Sequence, residues 1–229
     1  MRLLAILPLV FLIGCIETAP PSPRPEPVVS RASGVVTERT LKSVANRILP
    51  IAERECVRRS SSRNCDFAVG LDTDPRSPAN AFQTESKDGQ PLLIFTVALL
   101  DDLRNVDELA FILSHEAAHH IEAHLADTNR NVQTGAILGG LLATALGAES
   151  GLVDTAVRTG AVVGSRAYSK NFELEADYTG ARIAQAAGYN AVRGAAYFTR
   201  IADPGNRFLG SHPPNGDRIN TVRRAVGGG

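Results

Sequence analysis

Apolar side chains recur with a helical period at two places in the first half of the chain. In residues 37–59 and again in 105–126 they come three and four positions apart, which predicts two amphipathic helices. Pro50 should kink or restart the first helix, and Asn105 with Glu108 indicates an N-terminal cap for the second. The apolar positions are Leu41, Val44, Ala45, Ile48, Leu49 and Ala52 in the first segment, and Leu109, Ile112, Leu113, Ile121 and Leu125 in the second.

Between these two segments the apolar runs are short and are separated by turn-forming residues. Three strands are predicted at residues 67–71, 79–84 and 91–96, followed by a short helix at 98–104. Strands that are followed by helices favour an α+β fold, in which a small three-stranded sheet packs beside a mostly helical body.

A long uncharged segment follows the second amphipathic helix. No charged residue lies between positions 131 and 148, and glycines recur four apart at 135 and 139 and again at 160 and 164. Such spacing lets two helices approach closely. Residues 131–165 could therefore form a mobile hairpin that covers a site, a buried helix pair, or a membrane-inserting hairpin, and the sequence leaves all three open.

The N-terminus has the pattern of an export signal. Met1 and Arg2 precede an apolar run, and residues 1–14 are too short to span a membrane comfortably, which takes about 20 residues. The run ends in Leu-Ile-Gly-Cys, which resembles a bacterial lipobox and implies cleavage before Cys15 and lipidation of that residue. Residues 15–36 are rich in proline and predict an extended tether, so the chain is expected at the periplasmic face of the outer membrane. An ordinary signal peptide is the alternative.

The remaining bulk properties narrow the function. The domain from residue 37 to 229 is long enough to bury a core, and the 24 basic residues balance the 24 acidic ones. This balance speaks against a nucleic-acid partner, which usually needs a basic excess.

Once Cys15 is assigned to lipid, Cys56 and Cys65 remain, and in an oxidising compartment they predict a disulfide. A two-cysteine contribution to a metal site is the less favoured reading.

The sequence His-Glu-Ala-Ala-His at positions 115–119 carries the candidate chemistry. On a helix, His115 and His119 lie one turn apart on the same face, so both imidazoles can reach one ion. Glu116 is rotated about 100° from His115, which places a carboxylate beside the ion where it can accept a proton from water. Two histidines and an adjacent base are typical of a zinc hydrolase, which also needs a third protein ligand.

A second acidic segment offers that third ligand. In residues 169–177, Glu173 and Asp177 share one helical face, whereas Glu175 should point to the opposite side and into solvent. Glu173 is therefore the candidate ligand. Asp177 is then placed to accept a hydrogen bond from the outer nitrogen of a ligating histidine.

These motifs resemble zinc metallopeptidases of the HtpX, BepA, LoiP and CAAX prenyl protease type, a gluzincin group. The resemblance runs from about residue 37 to 224 and rests on HEAAH at 115–119, ELEAD at 173–177 and HPPNGDRI at 212–219. The lipobox points to the lipoprotein members of the group. Shorter matches are Asn80-Ala81-Phe82, Asp107-Glu108-Leu109-Ala110 and His124.

The resemblance implies a zincin-type domain that binds one zinc ion per chain. His115, His119 and Glu173 become the zinc ligands, Glu116 the catalytic base, and Asp177 the residue that orients a ligand histidine.

Four further residues near these motifs are either given a candidate role or excluded as metal ligands. His212 could stabilise an oxyanion, close the fourth coordination position in a resting form, or only begin the last helix. Arg218 could hold an acidic residue near the site or lie on the surface. His120 and His124 lie about 100° and 140° from His119 around a continuous helix, so neither should bind the ion.

The resulting expectation is a zinc-dependent endopeptidase of the bacterial cell envelope that acts on misfolded or misassembled proteins. The strand that contains Asn80, Ala81 and Phe82 could be a sheet edge to which an extended peptide adds by main-chain hydrogen bonds. The alternative is a zinc-binding chaperone or adaptor for outer-membrane protein assembly that does not cleave its partners.

Overall fold

The computed structural model of the chain describes residues 36–167, 169–206 and 212–227. The predicted signal peptide, the lipidated Cys15 and the tether up to residue 35 lie outside these residues.

The domain is mostly helical and carries one small sheet, as the sequence predicts. The predicted strands and the short helix before the second amphipathic helix are confirmed, with boundaries within two residues of those expected. Within the described residues the helices are α1 (Glu38–Arg59), α2 (Val97–Asp102), α3 (Val106–Ile121), α4 (His124–Ala145), α5 (Ser150–Arg166), α6 (Ser169–Ala186), α7 (Ala191–Ala195) and α8 (Asn215–Gly227). The strands are β1 (Ala68–Asp72), β2 (Ala81–Glu85) and β3 (Pro91–Thr96), and a 3-10 turn, Ala196–Thr199, follows α7.

The first helix forms where the sequence predicts it and buries the expected face. Thr37 caps α1, because its side chain accepts a hydrogen bond from the Thr40 backbone while the Thr40 hydroxyl accepts one from Thr37 N. Pro50 lies inside α1 without restarting it. The buried face packs against α3 and consists of Leu41, Val44, Ala45, Ile48, Ala52 and Cys56.

The sheet is mixed and has β3 at its centre. The strand order is β1-β3-β2, with β1 parallel and β2 antiparallel to β3. Leu93 and Phe95 of β3 are fully buried, so the central strand anchors the sheet on the core. Among the described residues β2 pairs with β3 alone, and it is therefore an edge strand, as predicted.

Helix α3 lies at the centre of the helical body and packs against α1, α6 and α7. Its predicted cap is confirmed, because the Asn105 side chain accepts from the backbone N–H groups of Asp107 and Glu108. The Glu108 carboxylate does not complete the box with Asn105. It is 2% exposed, accepts from the Arg104 backbone instead and pairs with Arg200.

The prediction that this helix continues to residue 126 is wrong. Helix α3 ends at Ile121, and Ala123 adopts a left-handed conformation with φ of 65°. A non-glycine residue in this region is uncommon and locally strained. The turn reverses the chain, so that His124 begins α4 and does not extend α3.

Helices α4 and α5 form a hairpin whose helices touch through glycine. A β-carbon added to Gly160 would lie 2.0 Å from the Gly135 carbonyl oxygen, and one added to Gly139 would lie 2.3 Å from the Ala156 oxygen. The close approach that the glycine spacing predicts is therefore present.

The outer surfaces of this hairpin are exposed, so the buried-pair interpretation is wrong. In α5 no residue is buried, and in α4 only His124 is. No helix in the described part of the chain combines the length and the hydropathy that a membrane crossing requires. That this hairpin covers a site stays a prediction. Exposed large apolar side chains of the hairpin are Ile137, Leu138, Leu141, Leu142, Leu146, Leu152, Val162 and Val163.

The structure joins Cys56 and Cys65 in the predicted disulfide. The bond holds a short loop against the C-terminal end of α3. Within that loop the Arg63 guanidinium donates to the backbone oxygens of His120 and Ile121, and the Asn64 carbonyl lies 2.7 Å from His120 Nε2. The loop thus satisfies carbonyl groups that a helix end leaves without an intrahelical partner.

Replacing Gly160 by alanine should force α4 and α5 apart, because the added methyl group meets the Gly135 carbonyl. Overpacking of this kind costs about 1–3 kcal/mol. We expect faster proteolysis within residues 124–166 and a lower helical content by circular dichroism. Gly151→Ala, also in α5 but with nothing within 4 Å of the added carbon, is the matched control and should not be destabilised. Equal behaviour of the two variants would contradict the glycine contact.

Removing the disulfide with Cys56→Ser should lower the free energy of unfolding by about 2–3 kcal/mol, as expected for a closed loop of this length. The cysteines are nine positions apart. Denaturant titration of the oxidised protein measures the change, and Cys65→Ser should give the same loss. If the double variant is clearly less stable than either single variant, the loss in the single variants does not come from the disulfide.

Candidate metal centre

Two helices bring three potential metal ligands to one point. Nε2 of His115 and Nε2 of His119, one turn apart on α3, are 3.0 Å from each other. Glu173 of α6 places its carboxylate oxygens 3.6 Å from His115 Nε2 and 3.4 Å from His119 Nε2. One ligand atom from each residue lies within 4.8 Å of the others, so the cluster could hold a metal ion.

These separations fit a small tetrahedral ion. Ligand atoms at about 2.0–2.1 Å from zinc in a tetrahedral arrangement are about 3.3–3.4 Å from each other. The two histidine nitrogens are 3.0 Å apart, and each has one of the two Glu173 oxygens at a similar distance, Oε2 at 3.6 Å from His115 and Oε1 at 3.4 Å from His119. A donor set of two imidazoles and one carboxylate leaves a fourth position for water or substrate, as catalytic zinc sites require.

A buried carboxylate orients the first histidine. Asp177, which is 0% exposed, lies with Oδ1 at 3.0 Å from His115 Nδ1. It also accepts two hydrogen bonds from Arg218, of 2.8 Å from Nε and 2.7 Å from Nη2. The structure therefore places Asp177 and Arg218 as the sequence suggested, with the arginine holding an acidic residue behind the ligands.

Arg218 is buried and has contacts on every side. Its guanidinium lies 3.9 Å from the centroid of the Phe198 ring, and Nη2 is 3.2 Å from Glu173 Oε2. Burial would lower the pKa of Arg218, but the hydrogen bond to Asp177 and the negative charges of Asp177, Glu173 and Glu116 together raise it. The positive charge is thus fixed between two carboxylates, one of which is a candidate ligand.

The candidate ligand Glu173 is ionised. Burial alone would raise its pKa, but hydrogen bonds with His119 and His212 and the nearby Arg218 charge hold the pKa well below its usual value. An ionised carboxylate is the form that binds a metal cation.

The other predicted participants line one cavity of about 750 Å³ together with the three ligands. Glu116 is buried at the wall of this cavity, beside the two histidines that flank it in sequence. His212 is half exposed, and its Nδ1 lies 3.3 Å from Glu173 Oε2. Residues 79–83, which include the predicted edge positions Asn80, Ala81 and Phe82, line the same cavity.

His124 is the residue that the sequence interpretation missed. The turn at Ala123 brings its ring back toward α3, with Nδ1 at 2.9 Å from Nδ1 of His119. Its Nε2 lies 3.2 Å from Glu175 Oε2, and its ring stacks on Phe172 at a centroid distance of 4.4 Å. The expectation that Glu175 faces solvent holds only in part, because its side chain is 57% exposed but still reaches His124.

The two histidines that follow His119 differ in their surroundings. His120 points away from the cluster, toward the Asn64 carbonyl and Glu85. Burial lowers the pKa of His120, and burial together with the neighbouring His119 lowers the pKa of His124 to about 4. Both rings are therefore neutral near pH 7. No glycine or proline between residues 119 and 125 signals the turn that separates their roles.

Comparison with known proteins gives the chain its family. Over 114 residues, 47% of this chain and 23% of the other, it is 35% identical to the Vibrio cholerae protein named "Putative beta-barrel assembly-enhancing protease". Over 171 residues, 69% of this chain and 46% of the other, it is 29% identical to the Saccharomyces cerevisiae protein named "Mitochondrial metalloendopeptidase OMA1". The chain thus spans less than half the length of either relative. No solved structure matches the chain significantly.

The family assignment covers nearly all of the described domain. Residues 42–226 match the family description "Peptidase family M48", a range that contains most of α1, the sheet and both helices of the candidate metal centre. The match agrees with the resemblance inferred from the three motifs. The chain belongs to peptidase family M48.

Proposed function

We propose that the chain is a zinc-dependent endopeptidase of the bacterial cell envelope, and that it cleaves misfolded or misassembled envelope proteins. The observation that carries this proposal is the convergence of His115, His119 and Glu173 beside Glu116 in an open cavity. Both relatives are named for a proteolytic activity, and the name of one also refers to β-barrel assembly.

Zinc is the ion that best fits two imidazoles and one carboxylate in a tetrahedral arrangement. When bound, it would supply Lewis-acid polarisation of the scissile carbonyl and would make water more acidic. His115, His119 and Glu173 would hold one ion per chain.

The protein groups around the ligands have separate tasks. Glu116 accepts a proton from the attacking water and later delivers that proton to the leaving amine. Asp177 and Arg218 hold the His115 ring in one tautomer and one orientation. His212, beside Glu173, would either donate to the oxyanion that forms on the substrate or serve as a fourth ligand in a resting state.

The edge strand β2 supplies a surface for an extended substrate. Thr96 N donates to Asn80 O, so these residues form a hydrogen-bonded pair at the start of the β2–β3 ladder. Because such pairs alternate in an antiparallel ladder, the main-chain groups of Ala81 and Gln83 point away from β3. Both residues line the cavity, which would allow a peptide to add as a further strand.

The proposed location rests on the lipobox at Cys15 and the proline-rich tether of residues 15–36. A lipid-anchored enzyme on such a tether would act at the periplasmic face of the outer membrane. Binding through main-chain groups recognises extended backbone more than side chains, which suits substrates that have failed to fold.

A second candidate is a zinc-dependent chaperone or adaptor that holds such proteins without cutting them. His212 favours this alternative, because its Nδ1 lies 3.3 Å from Oε2 of the candidate ligand Glu173 and a fourth protein ligand would exclude water. Intact Glu116 favours the protease.

Glu116→Gln should abolish peptide cleavage while zinc stays bound, because the amide cannot accept the proton from water. Loss of a general base lowers the rate by about 10²–10⁴-fold. Digestion of a denatured protein, with and without a metal chelator, measures the change, and elemental analysis measures zinc. Glu38→Gln, at an exposed α1 position paired with Lys42, is the control and should cleave normally. Cleavage by the Glu116 variant at the wild-type rate would refute the assigned base, and no chelator-sensitive cleavage by the wild type would favour the chaperone.

Gln83→Pro should raise KM for peptides without altering zinc content, because it removes one N–H from the free edge of β2. One hydrogen bond is worth about 1 kcal/mol, or roughly a fivefold change in KM. Glu85→Pro removes the equivalent N–H two residues further along β2, outside the cavity, and is the matched control. If both variants change KM equally, the edge of β2 near the cavity does not bind the substrate.

A further inference from the structure

The two candidate histidine ligands both have a partner on the nitrogen that faces away from the centre. For His115 this partner is Asp177, at 3.0 Å from Nδ1. For His119 the atom in the same position is Nδ1 of His124, at 2.9 Å. A ligand histidine almost always donates from its outer nitrogen, and that hydrogen bond fixes the tautomer and the ring orientation.

The protons on these rings can be assigned without any charge. With Nε2 directed at the ion, neutral His119 carries its proton on Nδ1 and donates it to Nδ1 of His124. His124 then carries its own proton on Nε2, where Glu175 Oε2 lies at 3.2 Å and accepts it. Each ring has one donor and one acceptor, and each donor faces an acceptor.

The His124 ring is held in place independently of His119. It is 4% exposed and stacks on Phe172 of α6, with planes inclined by 17°. Glu175, on the same helix as Phe172, fixes the far side of the ring. The acceptor offered to His119 is therefore positioned by α6, the helix that also supplies Glu173.

We propose that His124 is a positioning residue that accepts a hydrogen bond from His119 Nδ1 and thereby holds His119 Nε2 toward the metal ion. This inference rests on the proposed metal centre and adds to it a second orienting chain, Glu175–His124–His119. The turn at Ala123 makes this chain of hydrogen bonds possible, since a continuous helix would carry His124 away from His119.

The test is zinc affinity of the metal-free full chain, measured by competition with a chromophoric chelator. His124→Ala should weaken zinc binding by about 10–100-fold, the usual effect of removing such a partner. His124→Asn should recover most of the affinity, because its side-chain oxygen lies near the position of the lost Nδ1 and accepts the same hydrogen bond.

His120→Ala is the matched control. It removes a ring that is equally buried and lies four residues earlier, but that ring faces Asn64 and not the metal centre. If zinc affinity falls only because a buried ring has been removed, this variant should lose affinity too. The unfolding temperatures of the metal-free variants show how far each is destabilised. Cobalt-loaded samples give a second readout, in which the absorption bands should change in His124→Ala and stay close to wild type in His124→Asn and His120→Ala.

The outcomes separate the two proposals. If the wild type binds no zinc, or if Glu173→Gln binds zinc as tightly as the wild type, the proposed metal centre fails. If the wild type binds zinc through Glu173 and His124→Ala binds equally tightly, only the positioning role fails. It also fails if His120→Ala loses as much affinity as His124→Ala, or if His124→Asn shows no recovery over alanine.

Discussion

The buried pair of Asp177 and Arg218 is the interaction on which the centre depends. Removing two charges from water is costly, and the cost is offset here because Asp177 accepts two hydrogen bonds from Arg218 and contacts His115 as well. Asp177 lies on α6, Arg218 on α8 and His115 on α3. One ionic contact and the hydrogen bond beside it therefore connect three helices at the point where their side chains meet.

The chemistry of the centre was predictable because it is local. The four-residue spacings of His115 and His119, and of Glu173 and Asp177, survive wherever α3 and α6 are packed, since helix geometry alone sets them. His124 could not be placed in the same way. Its position depends on a left-handed alanine, and this conformation carries no sequence signal when glycine and asparagine are both lacking.

The fold was predictable to a similar depth. Periodicity and turn residues locate the helices and strands, because these signals reflect which face is buried. They do not predict which face is buried in α4 and α5. There the glycines form the contact between the two helices, and the leucines lie on the exposed outer surfaces. An uncharged segment is buried only when another part of the fold covers it, and that contact is set by tertiary structure and not by the local sequence. The glycine spacing itself correctly predicted the close approach of the two helices.

The crossing of α3 and α6 leaves no room for a side chain at Gly180. A β-carbon at Gly180 would lie 2.8 Å from the His115 backbone nitrogen, so main chain meets main chain one turn beyond Asp177. A residue larger than glycine at this position would push α6, which carries Glu173, away from α3, which carries the two histidines. The distance between the candidate ligands of the two helices therefore depends on the absence of a side chain at position 180.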